Sequence, residues 1–316
     1  MSLRRYVLKR LLTLVPVVVG VSFITFSMVH LIPGDPIEFI TAFSEVSDQA
    51  KAQLRAQYNL DDPVLVQYLK WLADAAQLEF GTSIVTGRPV MAMIGDRLPF
   101  TLLLGVMAII VALVTAIPAG IIAAYFRDSL VDMASRVYAL FGISMPNFWL
   151  GLILILIFSG TLGWFPVLPP TETGVFSLQM LVYTILPAIA LGTASTALLM
   201  RLLRSSMVEE LEKDYVKMAR AKGLPERTVV RKHVLKNSLI SVVTVTALQV
   251  AFLISGAVII EEVFSYPGIG GLLLSSVGSQ DFPVIQAIVL LIAVSVVLAN
   301  LLADIVYAYL DPRIRY

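Results

Sequence analysis

The sequence has no cysteine, which excludes disulfides, thiol chemistry and thiolate-bound metals. It has little charge: only 14% of its 316 residues are Asp, Glu, Lys or Arg, against about a quarter in soluble domains. Its two histidines, His30 and His233, lie far apart and on opposite predicted sides, a poor metal or catalytic pair. No phosphate-cradling GxxxxGK[ST] loop occurs, and no repeat relates the two halves. What the chain does have is apolar length. Hydrophobic residues make up 58% of it and gather into runs near 11–31, 100–126, 137–158, 178–200, 239–260 and 283–306. A bilayer crossing takes roughly 20 apolar residues.

A backbone in hydrocarbon must satisfy its own hydrogen bonds, so such runs are helices; barrel strands are shorter and alternate in polarity. The expected fold class is an all-α integral membrane protein with six transmembrane helices. The first run is too long for a cleaved signal and lacks a small-x-small site after it, so it is a retained span.

Charge sets the orientation. Of the 23 Lys and Arg residues, 18 fall on one side: Arg4, Arg5, Lys9 and Arg10; Arg127 and Arg136; ten between Arg201 and Lys236; and Arg313 and Arg315. The short loops 159–177 and 261–282 hold none. By the positive-inside rule both termini are cytoplasmic. The organisation is a cytoplasmic N-terminus (1–10), a first span (11–31), an extracytoplasmic helical lobe (32–99), a core of five spans (100–310) with a cytoplasmic loop (201–238), and a cytoplasmic C-terminus (311–316).

In the lobe, Ser47 and Asp48 can cap a helix to about Tyr58. Asp62 with Pro63 forms an N-cap and N1 pair for a helix to about Gln77. Arg88-Pro89 opens a short surface helix. The lobe is either a packed lid or a docking surface. Pro16, Pro118, Pro146 and Pro187 interrupt spans, and proline kinks a helix. Ser144 and Asn147 flank Pro146, and with Gln249 they are candidate pathway-lining residues. Asp304, one turn after Asn300, sits toward the cytoplasmic end of the last span, where it reaches the interface or pairs rather than relays protons. Intramembrane carboxylates are otherwise scarce, so the driving energy of any transport comes from elsewhere.

The basic loop is the densest signal. Val208, Leu211, Tyr215, Met218 and Ala219 recur at helical spacing as one apolar stripe. Gly223, with Pro225 behind it, stops that helix. A second helix begins near Glu226, with Val229, Val230, His233 and Val234 on one side. A solvated loop that only sets topology explains the charge but not the stripe. Lipid headgroups are a second reading; a helix laid in a partner's groove is a third, and the stripe and stop favour it. Aromatic interleaving is missing, so nucleic acid is not expected as a partner.

Here the chain resembles the permease subunits of ABC transporters. Their motif runs EAA, three residues, Gly, nine residues, I-x-L-P. Ala219, Gly223 and Leu235 match it; Lys217, Met218, His233 and Lys236 depart from it. DYVKMARAKGL (214–224), HLIPGDP (30–36), YNLDDPVLVQYLKWL (58–72), GISMPNFWLG (142–151), LPAIALG (186–192), EEVFSYPGIGGLL (261–273) and the terminal DPRIRY are similar to the dipeptide/oligopeptide (peptide, nickel, glutathione) branch.

That resemblance implies a type I importer permease fold in a bacterial inner membrane, as half of a translocation pathway for peptides. It implies a homologous second permease, two cytoplasmic ATPase subunits and an extracytoplasmic substrate-binding protein as partners. This chain binds no cofactor or metal and is not an enzyme; ATP and Mg are held by the ATPases. The coupling helix comprises Tyr215, Met218, Ala219, Arg220, Ala221, Lys222, Gly223 and Leu224. The binding protein faces Glu261, Glu262, Tyr266, Pro267 and Gly268. Gly223→Val or Ala219→Asp is expected to leave the chain in the membrane yet uncouple ATP hydrolysis from uptake. The alternatives are a self-powered secondary transporter or channel and, last, a membrane enzyme.

Overall fold

The computed structural model describes residues 3–30, 49, 61–170 and 174–310. The expected helix over 48–58, most of the HLIPGDP segment and the C-terminal six residues lie outside them. Among the described residues the protein is helical, with one isolated antiparallel bridge between Thr82 and Pro89.

Helix α1 (Leu3–His30) passes unbroken through Pro16. Helix α2 (Val64–Ala76) begins one residue later than expected, with Pro63 at the N-cap and no side-chain cap from Asp62; Asp62 pairs with Lys70 instead, at 2.7 Å. Tyr68 seats α2 on α1. Its hydroxyl lies 2.8 Å from Ser22 Oγ, and its ring centroid lies 5.5 Å from that of Phe26.

Helix α3 (Val90–Tyr125) corrects two expectations. The surface helix after Arg88-Pro89 and the second span are one 36-residue rod, continuous through Pro99 and Pro118. Pro99 falls in the third turn and Pro118 deep inside, where neighbours tolerate the missing hydrogen bonds. Helix α4 (Leu130–Ser144) and helix α5 (Asn147–Leu154) divide the expected third span in two, the kink anticipated at Pro146 being a bend of 103° at Met145-Pro146. Proline withholds an N–H and pushes the preceding residue out of the helical region. α5 continues as a π-helical stretch, Ile155–Thr161.

Helix α6 (Leu178–Leu211) is 34 residues long, passes through Pro187, and runs a full three turns beyond the expected end of the fourth span. It is the centre of the molecule. Its apolar window is 61% buried, against 33% for α3. Apolar side chains gain little by leaving lipid for protein, so close backbone approach holds such helices together. α3 supplies Ala108, Ala112, Ala116 and Gly120 along one face, and a Cβ added to Gly192 of α6 would fall 2.7 Å from the Ala108 carbonyl.

After α6 come helix α7 (Asp214–Ala221), a single helical turn α8 (Glu226–Thr228), a π-helical stretch (Val229–Leu235) and helix α9 (Lys236–Val263). Helix α10 (Ile269–Gly278) and helix α11 (Phe282–Leu310) close the chain. Among the described residues four segments are long and apolar enough to cross a membrane: α3, α6, Glu226–Val250 and α11; the bent α4–α5 pair makes a fifth candidate.

Candidate coupling arm and the clamps around it

The arm between α6 and α9 is built by short-range chemistry. α6 ends at Leu211, and Lys213 becomes the N-cap of α7, held by Glu210. The single stripe expected from Val208 to Ala219 is therefore split between two helices. Within α7, Val216 and Ala219, three residues apart, turn inward and join Leu203, Met207, Val229, Val234 and Val242 in one apolar cluster. Tyr215 and Met218, also three apart, turn outward, and Met218 is 59% exposed. Ala219 is 6% exposed, so Ala219→Asp probes internal packing rather than a docking surface.

The stop at Gly223 forms as the sequence suggests. Its φ is +76° and nothing lies within 4 Å of the place a Cβ would occupy, so backbone conformation, not space, asks for glycine. The Gly223 N–H reaches the Arg220 carbonyl at 2.9 Å, and the Leu224 N–H reaches that of Ala219 at 3.4 Å. This pairing is the Schellman C-cap. Asp214 in the first turn and Arg220 in the last complement the helix dipole.

Two side-chain ties fold the arm back on itself. Arg220 meets Glu226 with two hydrogen bonds, Nε to Oε2 at 3.0 Å and a terminal nitrogen to Oε1 at 2.7 Å. Tyr215 donates to Glu210, accepts from Asn237 Nδ2 at 2.9 Å, and sits 3.2 Å from the His233 carbonyl. Burial, then the bond to Glu210, pushes the Tyr215 phenol above its ordinary value, so it stays a neutral donor. Ala221, Lys222 and Leu224 are exposed at the tip of the arm.

Beside the arm lies a clamp that sequence reasoning missed. Asp132, in the first turn of α4, has no exposed surface. Arg204 of α6 grips both carboxylate oxygens, Nε to Oδ1 at 2.5 Å and a terminal nitrogen to Oδ2 at 2.6 Å. Arg136 adds 2.5 Å to Oδ2, and the Asp128 N–H adds 3.0 Å. Next to it Arg127 reaches Glu212 at 2.7 Å, immediately before α7. The α3–α4 turn and the start of the bent pair are thus fixed to the helix that leads into the arm. Arg127, Arg136 and Arg204 registered in the sequence only as topology markers. The available signal was the spacing of Asp132 and Arg136, four apart in a segment that begins with the cap residue Ser129.

At the opposite end, Glu261 and Tyr266 are buried, as is Gly268, while Glu262 is exposed and Pro267 half-buried. Of the five residues expected to face a binding protein, three therefore sit inside this chain. Thr101 donates to Glu261 Oε1 at 2.6 Å, the Gly270 N–H donates to Oε2 at 2.6 Å, and the Ile269 N–H returns to Thr101 Oγ1 at 2.9 Å. Tyr266 stacks on Tyr183 at 6.0 Å and lies 3.1 Å from Thr184 Oγ1. Farther out, Ser83 donates to the buried Asp281 at 2.5 Å, with the Ile84 N–H at 3.2 Å from the same carboxylate.

Ser144 is exposed and Asn147 half-buried on either side of the bend; Gln249, half-buried on α9, donates to Ser195 of α6 at 3.1 Å. Among the described residues no hydrogen bond joins Gln249 to Ser144 or Asn147. Asp304 is half-buried in α11.

Residues 116–316 match the family model described as "Binding-protein-dependent transport system inner membrane component", and residues 3–105 match its N-terminal companion, "Binding-prot-dependent transport system membrane comp, N-term". The chain is 42% identical over 316 residues to the oligopeptide transport system permease protein AppB of Bacillus subtilis, covering 98% of this chain and 99% of that one. It is 40% identical over 331 residues to the dipeptide transport system permease protein DppB of Alkalihalophilus pseudofirmus, and 43% identical over 311 to the glutathione transport system permease protein GsiC of Escherichia coli K12, with the same coverage.

Proposed function

The chain belongs to the family of binding-protein-dependent transport-system inner-membrane components, and from that premise we propose that the α7 arm is where mechanical work enters it. The protein is a permease subunit of an ABC importer in the bacterial inner membrane. Its solute is a peptide or a peptide-like molecule, the class named for its oligopeptide, dipeptide and glutathione relatives.

In the full topology α1 is the first span, the bent α4–α5 pair the third, and both termini are cytoplasmic. A second, homologous permease completes the pathway. Two ATPase subunits, which hold ATP and Mg, sit below, and a substrate-binding protein sits above. This chain itself performs no catalysis and binds no cofactor. Tyr215, Met218 and Leu224 enter a groove on one ATPase. Closure of the ATPase pair moves α7, and the Asp132–Arg204 and Arg127–Glu212 contacts pass that movement to α4 and its bend. Ser144, Asn147 and Gln249 line the pathway, and Glu262 and Pro267 offer the outer contact.

One observation carries this assignment. α7 is an eight-residue helix separate from α6, closed at its C-terminus by Gly223, that buries Val216 and Ala219 yet leaves Met218 uncovered. Met218→Asp places a charge on the outward face without disturbing the inward one. In the assembled complex it is expected to leave ATP hydrolysis in place and reduce solute uptake at least tenfold, while Met218→Leu behaves as the parent. Parent-level uptake by Met218→Asp would refute docking at this face.

A further inference from the structure

The cations of the cytoplasmic arm divide into two sets. Within α7 and at its start they are neutralised, Lys213 by Glu210, Lys217 by Asp214 at 3.0 Å and Arg220 by Glu226, leaving only the exposed Lys222 at the tip without an ion pair among the described residues. Past Pro225 they are not. Arg227, Arg231, Lys232 and Lys236 are all exposed, and among the described residues none of them forms an ion pair. The nearest acid, Glu226, is already occupied by Arg220.

The backbone then gathers these four. Val229–Leu235 is wound as a π-helix, which turns once in about 4.4 residues, so positions four and five apart share a side. Val229 and Val234, five apart, are both fully buried. Arg231 and Lys232 lie within this stretch while Arg227 and Lys236 flank it, and at separations of four, five and nine from Arg227 the π turn between them brings all four toward the other side. In an α-helix, at 3.6 residues per turn, the same four positions would spread over half the circumference. The winding thus converts a scattered run of charges into one strip.

We propose that this strip holds the headgroups of anionic phospholipids in the cytoplasmic leaflet. The strip leads without interruption into the apolar stretch of Glu226–Val250, whose window is only 17% buried within the chain. It therefore lies where a membrane helix meets the headgroup layer, with aliphatic stems along the helix and charges at the interface. Charge complementarity selects anionic over zwitterionic lipid. The helix that carries the strip also touches the machinery of the arm, through His233 and Asn237 beside the cations: Tyr215 of α7 sits 3.2 Å from the His233 carbonyl and bonds Asn237 at 2.9 Å. Bound lipid fixes the platform against which α7 is seated. The inference rests on the cytoplasmic placement of the arm given above.

The test uses the complex purified with its partner subunits, in nanodiscs of phosphatidylcholine or of phosphatidylcholine mixed with phosphatidylglycerol. Lipids retained after extraction are counted by native mass spectrometry. The parent complex should retain phosphatidylglycerol over phosphatidylcholine by about fivefold for each engaged cation. The variant combining Arg227→Gln, Arg231→Gln, Lys232→Gln and Lys236→Gln should lose that preference and hydrolyse ATP at the parent rate in pure phosphatidylcholine. Unchanged phosphatidylglycerol retention overturns the proposal. So does an equal fall in ATPase rate without anionic lipid, which would assign the strip to an acidic protein surface. A second measurement needs only Arg231→Cys, in a chain with no other thiol, carrying a fluorophore. Headgroup-nitroxide phosphatidylglycerol should quench it several-fold more than the phosphatidylcholine analogue, and equal quenching overturns the proposal. Parent-level uptake by Met218→Asp would remove the docking assignment while leaving lipid selectivity intact, so the two failures are separable.

Discussion

Among the described residues two carboxylates have no exposed surface, Asp132 and Glu261, and the protein answers the cost of burying them in opposite ways. Asp132 is met by two guanidinium groups and a backbone N–H. Glu261 is met by a threonine hydroxyl and the backbone N–H groups of Gly270 and Gly271, and among the described residues it forms no ion pair, Arg97 acting only from farther off. A buried charge is tolerated only when paired or fully hydrogen-bonded. Topology decides which remedy is at hand. The Asp132 end is the one rich in Lys and Arg, whereas the short loops at the Glu261 end contain none. The first is a charge clamp between two helices; the second is a neutral cap that joins α3, α9 and the start of α10.

The comparison can be broken experimentally. The largest effect is expected from Arg204→Met, which leaves a buried carboxylate with one flanking arginine. The cost is about 3–5 kcal/mol, read as a lowered denaturation midpoint of the complex in detergent. The double variant Asp132→Leu/Arg204→Met should recover more than half of it, since the lone buried charge is gone. Glu261→Gln keeps one acceptor but turns amide hydrogens toward the Gly270 N–H, at a cost of about 1–3 kcal/mol. A loss as large as that of Arg204→Met would erase the distinction between clamp and cap. Gly223→Ala forces a side chain into a left-handed conformation at about 1–2 kcal/mol. Its uptake should fall well beyond what the small change in melting temperature accounts for. Arg220→Gln breaks an exposed pair worth under about 1 kcal/mol, so its melting temperature should stay within a few degrees of the parent. A larger drop would show that the arm's ion pairs resemble the clamp more than the surface.

Much of the architecture was legible because lipid imposes a simple code. Apolar length marked α3, α6 and α11, and the Gly223-Leu224-Pro225 run marked the end of α7. What stayed hidden depends on partners remote in sequence or on competition between neighbours. Arg204 lies 72 residues from Asp132 and Thr101 160 from Glu261, and periodicity carries no trace of such pairings. Hydropathy joined α4 to α5 because both are apolar, although Pro146 turns the chain by 103° between them. The opposite error arose at Pro89, where the start of α3 looked like a separate surface helix because the charges at Asp96 and Arg97 interrupt its apolar run. Glu261, Tyr266 and Gly268 were expected on an outward-facing loop because of the resemblance carried by their segment, yet hydrogen bonding and ring stacking draw them inward. In the arm, one apparent stripe became two helix faces, because Lys213 caps a new helix where the old one stops.

The bond between Ser83 and Asp281 spans 198 residues. A ribosome adds roughly 5–20 residues per second, so the hydroxyl waits about 10 to 40 s for its acceptor to be synthesised. The Phe80–Pro89 segment therefore reaches its final seat only after the last membrane segment has begun to emerge. Until then this stretch lacks the carboxylate that seats it, and a contact near the start of the described helical core is among the last that synthesis makes possible.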